Sequence, residues 1–184
     1  MGVRKARAYT HHYTRPSTRR SAKKGNNYIK TVPTQKISKF HMGDTKRYLK
    51  GGFPILLTMQ SKETAQIRDL AIEAVRQYLT KELEEKYLGQ FYLGVKIYPH
   101  HIQRNHKVLT GAGADRMAIG MAHSYGSSEG RAALVGVNHP LFVIGVNDEK
   151  AASFVRFILK QIKAKLPCTT RIVTEMKGKP KIVD

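Results

Sequence analysis

Four histidines, His100, His101, His106 and His123, surround the glycine-rich run Gly111, Ala112, Gly113, Ala114, Asp115, Arg116, with Arg104 and Lys107 among them. Three chemistries could use such a stretch. The histidines could ligate a metal, but no cysteine nearby supplies a thiolate and the spacings fit no compact zinc pattern; histidine beside phosphate is the plainer reading. The glycine run begins like a dinucleotide fingerprint, yet Arg116 takes the place of the third glycine and no helix with an apolar stripe follows. Asp115 and Glu129 could form an acid–base pair, but their separation along a glycine-rich loop fixes no geometry and Arg116 would neutralise Asp115, so a turn or salt-bridge role is expected. No catalytic residue, metal or cofactor is therefore expected. What remains is a cationic finger, Arg104, His106, Lys107 and Arg116, in which Gly111 and Gly113 let backbone N–H groups come close to a phosphate or sugar.

The elements that must hold this finger are legible from hydrophobic period. Phe53 to Met59 is a short apolar run after Gly51 and Gly52 and predicts a buried strand. A helix capped by Ser61 is expected next, with Ile67, Leu70, Ala71, Ala74, Val75, Tyr78 and Leu79 as its stripe up to about Lys86. Phe91, Leu93, Val95 and Ile97 alternate with Tyr92, Gly94, Lys96 and Tyr98, a strand ended by Pro99. Residues 99–130 then make a connection far longer than usual. Arg131 to Val137 and Leu141 to Val146 read as a hairpin turning at Asn138, His139 and Pro140. A second helix, opened by Asn147 or Asp148, buries Phe154, Val155, Ile158, Leu159, Ile162 and Leu166 before Pro167, and Thr169 to Thr174 closes the sheet. The expected fold is α+β: a two-layer α/β sandwich, a mixed sheet with two helices on one face.

The chain of 184 residues carries 33 Lys and Arg against 13 Asp and Glu, a formal charge of +20. A body with that charge repels itself unless a polyanion is near. Residues 1–50 hold 14 of the cations and one acid, Asp44. This divides the chain into a basic N-terminal extension, 1–50, and a sandwich domain, 51–184, that contains the long loop. Arg4, Lys5, Arg7, Arg15, Arg19, Arg20, Lys23, Lys24, Lys30, Lys36, Lys39, Lys46 and Arg47 are the arm's candidate phosphate contacts. Tyr9, Tyr13, Tyr28, Ile29, Ile37, Phe40 and Tyr48 interrupt these charges, so the arm is expected to order on RNA, rings stacking while cations take phosphates, in preference to being a solubilising tail. On the second helix Arg156, Lys160 and Lys163 share one side and could grip phosphates or simply face solvent. Neither a long apolar span nor a basic amphipathic anchor is present at the ends, and Met1 to Ser21 has no signal-peptide core, so no membrane partner and a cytoplasmic location are expected. Cys168, the one cysteine, is expected to be structural.

Ala114, Asp115, Arg116, then Gly120, Met121, then Tyr125, Gly126, Gly130, Ala133, Leu134 and Val135 resemble the signature of the universal large-subunit ribosomal proteins called L-ten-e in archaea and eukaryotes and L-sixteen in bacteria. Ala6 and Arg7, with Pro33, Lys36, Ile37, Phe40, Met42 and Gly43, are similar to the archaeal and eukaryotic branch, most to the archaeal form. The order of elements agrees over nearly the whole chain. The sequence departs at Ala122, where the family usually carries Arg, and at Ser127 and Ser128, where Lys and Pro are common. The resemblance implies a non-catalytic constituent of the large ribosomal subunit that binds its rRNA between the central protuberance and the peptidyl-transferase region. It also implies that the finger around Lys107 to Arg116 points toward bound tRNA. 5S rRNA and neighbouring large-subunit proteins are further candidate partners, and a homo-oligomer is not expected.

Two rivals belong to other classes. An RNA-modifying enzyme would need a cofactor pocket or nucleophile, and the only thiol follows Pro167, away from the loop. A sequence-specific DNA reader would need polar base-reading residues at a short helix-turn-helix junction, which neither helix has.

Overall fold

The computed structural model describes residues 29, 31–105, 126–176 and 179–183. In chain order the elements are β1 (His41–Gly43), α1 (Thr45–Leu49), β2 (Ile55–Ser61), β3 (Ala65–Arg68), α2 (Asp69–Tyr87), β4 (Tyr92–Val95), β5 (His101–Asn105), β6 (Ser127–Val135), β7 (Pro140–Val146), α3 (Glu149–Ile162), β8 (Thr170–Met176) and β9 (Lys179–Val183). A 3-10 turn, Lys163–Lys165, extends α3. The architecture is the expected α+β sandwich, with two corrections to its sheet.

The strands form two sheets, one of six strands in the order β1-β4-β7-β2-β8-β9 and one of three in the order β3-β6-β5. Every pairing among the described residues is antiparallel, so the sheet is not mixed. The expected hairpin between β6 and β7 does not form either. β6 is the centre of the small sheet and β7 pairs with β2 and β4 in the large one, so the turn at Gly136 to His139 carries the chain from one sheet to the other. A second passage runs beside it, from β2 to β3. The two are fastened at Ser61, whose N–H donates to the His139 carbonyl (3.1 Å) and whose carbonyl accepts from Asn138 N–H (2.8 Å). A local turn signal had no way to report that both flanking strands find better partners far away in sequence.

The helices divide their contacts accordingly: α3 packs on β2 and β7, whereas α2 packs on β3, β6 and α3. Ser61 ends a strand and does not cap a helix; Ile67 lies in β3, and α2 begins only at Asp69. The helical stripe is accordingly Ile72, Val75, Leu79 and Leu83, all fully buried, while Leu70 and Ala74 face out. The mistaken start came from β3, a short apolar strand that runs straight into the helix and imitates its period. On α3 the buried side is Ala151, Ala152, Val155, Ile158, Leu159 and Ile162, with Phe154 only half-buried.

The arm ends earlier than expected. Ile37 and Met42 belong to the core cluster, and β1 pairs with β4 through His41↔Gly94, Met42↔Leu93 and Gly43↔Tyr92. Asp44 caps α1 by accepting from Arg47 N–H (2.9 Å), and its own N–H donates to the Phe91 carbonyl (2.9 Å). β1 ends at Gly43, which has φ +78 and the Phe91 carbonyl oxygen where a Cβ would stand. Gly51 has φ +65 but open space around it. Gly43→Ala should therefore cost clearly more than the about 1 kcal/mol or more expected for Gly51→Ala from the left-handed backbone alone. Urea denaturation of the two purified variants checks this; equal costs would mean that β4 yields freely at Phe91.

Candidate nucleic-acid interface

The segment where the basic arm meets the body is laced down by side chains of α2 and the small sheet. Asp69, in the first turn of α2, accepts from Lys36 N–H (3.1 Å) and Leu70 N–H (2.8 Å). One helical turn on, Glu73 accepts from Ser38 Oγ–H (3.3 Å) and Ser38 N–H (3.4 Å). From β6, Arg131 Nε–H donates to the Pro33 carbonyl (2.7 Å) and Ser128 Oγ–H to the Thr31 carbonyl (3.2 Å). Four backbone groups between Thr31 and Ser38 are thereby bound to the body, and the Lys36 and Lys39 side chains remain exposed. Between this segment and the sheet lies a cleft of about 270 Å³ with Pro33, Arg68, Asp69, Gln103 and Arg131 on its walls.

The two carboxyls are tuned in opposite directions. Burial pushes Asp69 above the usual carboxylate range, against the pull of its two N–H donors and of Lys36 and Arg131. Glu73 is held down at about 2, because Arg76 donates to both its oxygens (2.7 and 2.6 Å).

The long connection is shorter than its sequence suggested, because both of its ends are strands. β5 and β6 pair as Gln103↔Gly130, Arg104↔Ser128 and Asn105↔Ser127, with a register shift between Gln103 and Arg104. Alternating polar and small residues gave β5 and the start of β6 no apolar signature. The ladder places Arg104 at the base of the connection, half-buried, where burial lowers its guanidinium pKa. His106, Lys107, Gly111, Gly113 and Arg116 lie outside the described residues. So do Arg4, Lys5, Arg7, Arg15, Arg19, Arg20, Lys23, Lys24 and Lys30.

On α3 the three proposed phosphate contacts are not equivalent. Arg156 is committed to Glu149 (2.8 Å), Lys160 is exposed, and Lys163 sits half-buried in the 3-10 turn. Near α1, Lys46 is exposed, while Arg47 donates to the Gly52 carbonyl (3.2 Å) and lies 5.1 Å from the Phe53 ring centroid. Sequence reasoning overlooked Arg68 and Arg131, both lining the cleft, and Lys96. Arg68 ends β3 and Arg131 lies in β6, while Lys96 stands just past β4; none carries a distinct local signal. Cys168 is buried, and burial pushes its thiol up, in keeping with a structural thiol. Among the described residues no three or more His, Cys, Asp and Glu are grouped to hold a metal, and no helix is long and apolar enough to cross a membrane.

Fold and site together define a strongly cationic α+β sandwich, in which Asp69 and Glu73 fasten residues 31–38 to α2 while Lys36, Lys39, Lys46 and Lys160 are exposed. The chain belongs to the ribosomal protein L16p/L10e family, whose profile matches residues 13–173. Membership makes it a structural constituent and not an enzyme. It is 38% identical over 180 residues to large ribosomal subunit protein uL16 of Pyrobaculum neutrophilum, covering 97% of this chain and 94% of that protein. It is equally similar to the uL16 of Thermoplasma volcanium, 38% over 180 residues, 97% and 96% covered. With the uL16 of Archaeoglobus fulgidus it shares 35% over 158 residues, 83% and 88% covered.

The Glu73 pairing has a pH signature. A carboxyl depressed from 4.5 to about 2 stabilises the fold fully above pH 4.5, and that contribution is lost as pH falls toward 2. Asp69, raised by burial, acts with the opposite sign in acid. Glu73→Gln should flatten the decline of the urea midpoint between about pH 4.5 and 2; a decline as steep as in the parent chain would contradict the assignment.

Proposed function

We propose that this protein binds large-subunit rRNA through its basic arm and body, and helps position tRNA near the peptidyl-transferase region during translation. The observation that carries the reading is the separation of charge. The acids Asp69 and Glu73 are turned inward to fasten Thr31 to Ser38, while Lys36, Lys39, Lys46 and Lys160 face out. Phosphate contacts of this kind position RNA without reading its sequence. The names of its relatives support placing it in the large subunit, and with it in the cytoplasm. The small sheet supports a division of labour. It anchors the arm at Pro33 and Thr31, and through Arg104 it forms the base of the connection that carries Lys107 and Arg116. Arm and body act as the rRNA anchor; the connection reaches toward tRNA.

Replacing Lys107 and Arg116 together by Ala separates the two roles. Large subunits should incorporate the variant nearly as well as the parent chain, judged by sedimentation, while tRNA binding to the assembled ribosome weakens. Failure to incorporate would make the connection an assembly anchor and contradict its role toward tRNA.

A further inference from the structure

The outer side of β4 and of the chain that continues it carries Tyr92, Gly94, Lys96 and Tyr98, while Leu93, Val95 and Ile97 belong to the core. Tyr92 lies back along its own strand: a Cβ on Gly94 would stand 2.5 Å from the Tyr92 hydroxyl and 3.1 Å from its Cε1. Tyr48 of α1 stacks on that ring, centroids 3.8 Å apart and planes 9° from parallel, and Lys96 Nζ is 5.3 Å from the Tyr48 centroid. His41 Nδ1 hydrogen-bonds the Tyr92 hydroxyl at 2.8 Å. Farther along, Phe40 stacks against Tyr98 (5.6 Å, 24°), yet Tyr98 remains 51% exposed. The result is two ring stacks, His41–Tyr92–Tyr48 and Phe40–Tyr98, the second presenting a half-exposed tyrosine two residues along the chain from Lys96.

The charge around these rings is mostly positive, and the acids that reach the segment from α2, Asp69 and Glu73, are bound to Lys36 N–H and to Ser38. Lys36, Lys39, Lys46, Arg47, Lys50 and Lys96 are exposed, and in segments 36–50 and 96–100 the only acid is Asp44, which is engaged in capping α1. A protein-docking surface is depleted of Lys at its centre. Rings flanked by cations instead match a nucleotide, a base for the ring and a phosphate for the amine. A base offers its face only when it is unstacked from its neighbours.

We propose that this face, built from β1, α1 and the outer side of β4, is a stacking site for an unpaired RNA nucleotide, with Tyr98 taking the base and Lys96 a flanking phosphate. The site rests on the RNA-binding reading above and deepens it. Ring rigidity is part of its function: Tyr98, with Phe40 behind it, loses little freedom on binding.

The test uses the full-length chain and protein-free large-subunit RNA, with filter-binding affinities measured across a salt series. Tyr98→Ala should weaken binding at least about fivefold without changing the salt slope, since stacking releases no counterions. Tyr98→Leu, which keeps apolar cover over Phe40, should weaken it similarly, and Tyr98→Phe should bind like the parent chain. Lys96→Ala should reduce the slope by about 0.7 to 0.9. If Tyr98→Leu and Tyr98→Ala bind normally while the parent chain shows steep salt dependence, the stacking site is refuted and the RNA reading survives. Absence of binding by the parent chain would remove both. A photoreactive side chain at position 98 in assembled subunits should cross-link to an unpaired nucleotide; a cross-link to a protein would overturn the proposal.

Discussion

A chain with 33 Lys and Arg against 13 Asp and Glu repels itself, and carboxylates that fasten one segment to another offset part of that repulsion. The structure uses them in that way. Asp44 caps α1, Asp69 and Glu73 bind the backbone of Lys36 and Ser38, Glu63 accepts from Thr169 N–H (2.6 Å), and Glu149 holds Arg156. Asp69, Glu73 and Glu63 join one segment to another and Asp44 closes the start of α1, each by accepting from a backbone N–H that would otherwise need water, whereas the Glu149–Arg156 pair lies within α3. With Asp44, Asp69 and Glu73 engaged in bonds to backbone N–H groups, the exposed lysines of residues 36–50 have little opposite charge beside them.

The second constraint is the pair of passages between the sheets. The passages β2 to β3 and β6 to β7 run side by side and are joined by hydrogen bonds between Ser61 and Asn138 and between Ser61 and His139, which tie the small sheet to the large one at that point. That small sheet has the most positional responsibility. Its central strand supplies Ser128 and Arg131, which grip the arm, and its β5–β6 ladder carries Arg104. Residues 31–38 and the two ends of the long connection, Asn105 and Gly126, thus meet at the same three-stranded sheet. α2 supports them from behind with Ile72, Val75, Leu79 and Leu83.

Legibility in the sequence followed how local each signal was. α3 was readable because its apolar side is continuous and Asp148 stands just before it; β2, β4 and β8 were readable as apolar or alternating runs. α2 was found but begun too early, since β3 merges into it without a turn residue. β5 and the start of β6 were missed because Gln103, Arg104, Ser127 and Ser128 carry no apolar alternation, and their strand character comes from pairing with each other. The split into two sheets depends on long-range partners and has no local signature. For the site, exposed arm lysines such as Lys36 and Lys39 could be read directly. The commitment of Arg156 to Glu149, and the assembly of Arg68 and Arg131 around one cleft, needed three dimensions. The family resemblance, by contrast, was legible in the motif from Ala114 to Val135, and the profile match over 13–173 bears it out.

The central claim, that this chain works as an RNA-bound part of the large ribosomal subunit, is tested most directly by sedimentation. A native extract is run on sucrose gradients with and without ribonuclease, and the chain is quantified across the fractions by mass spectrometry. The account predicts one copy per large subunit, released on digestion of the RNA. A chain that stays at the top of the gradient in both runs would contradict it.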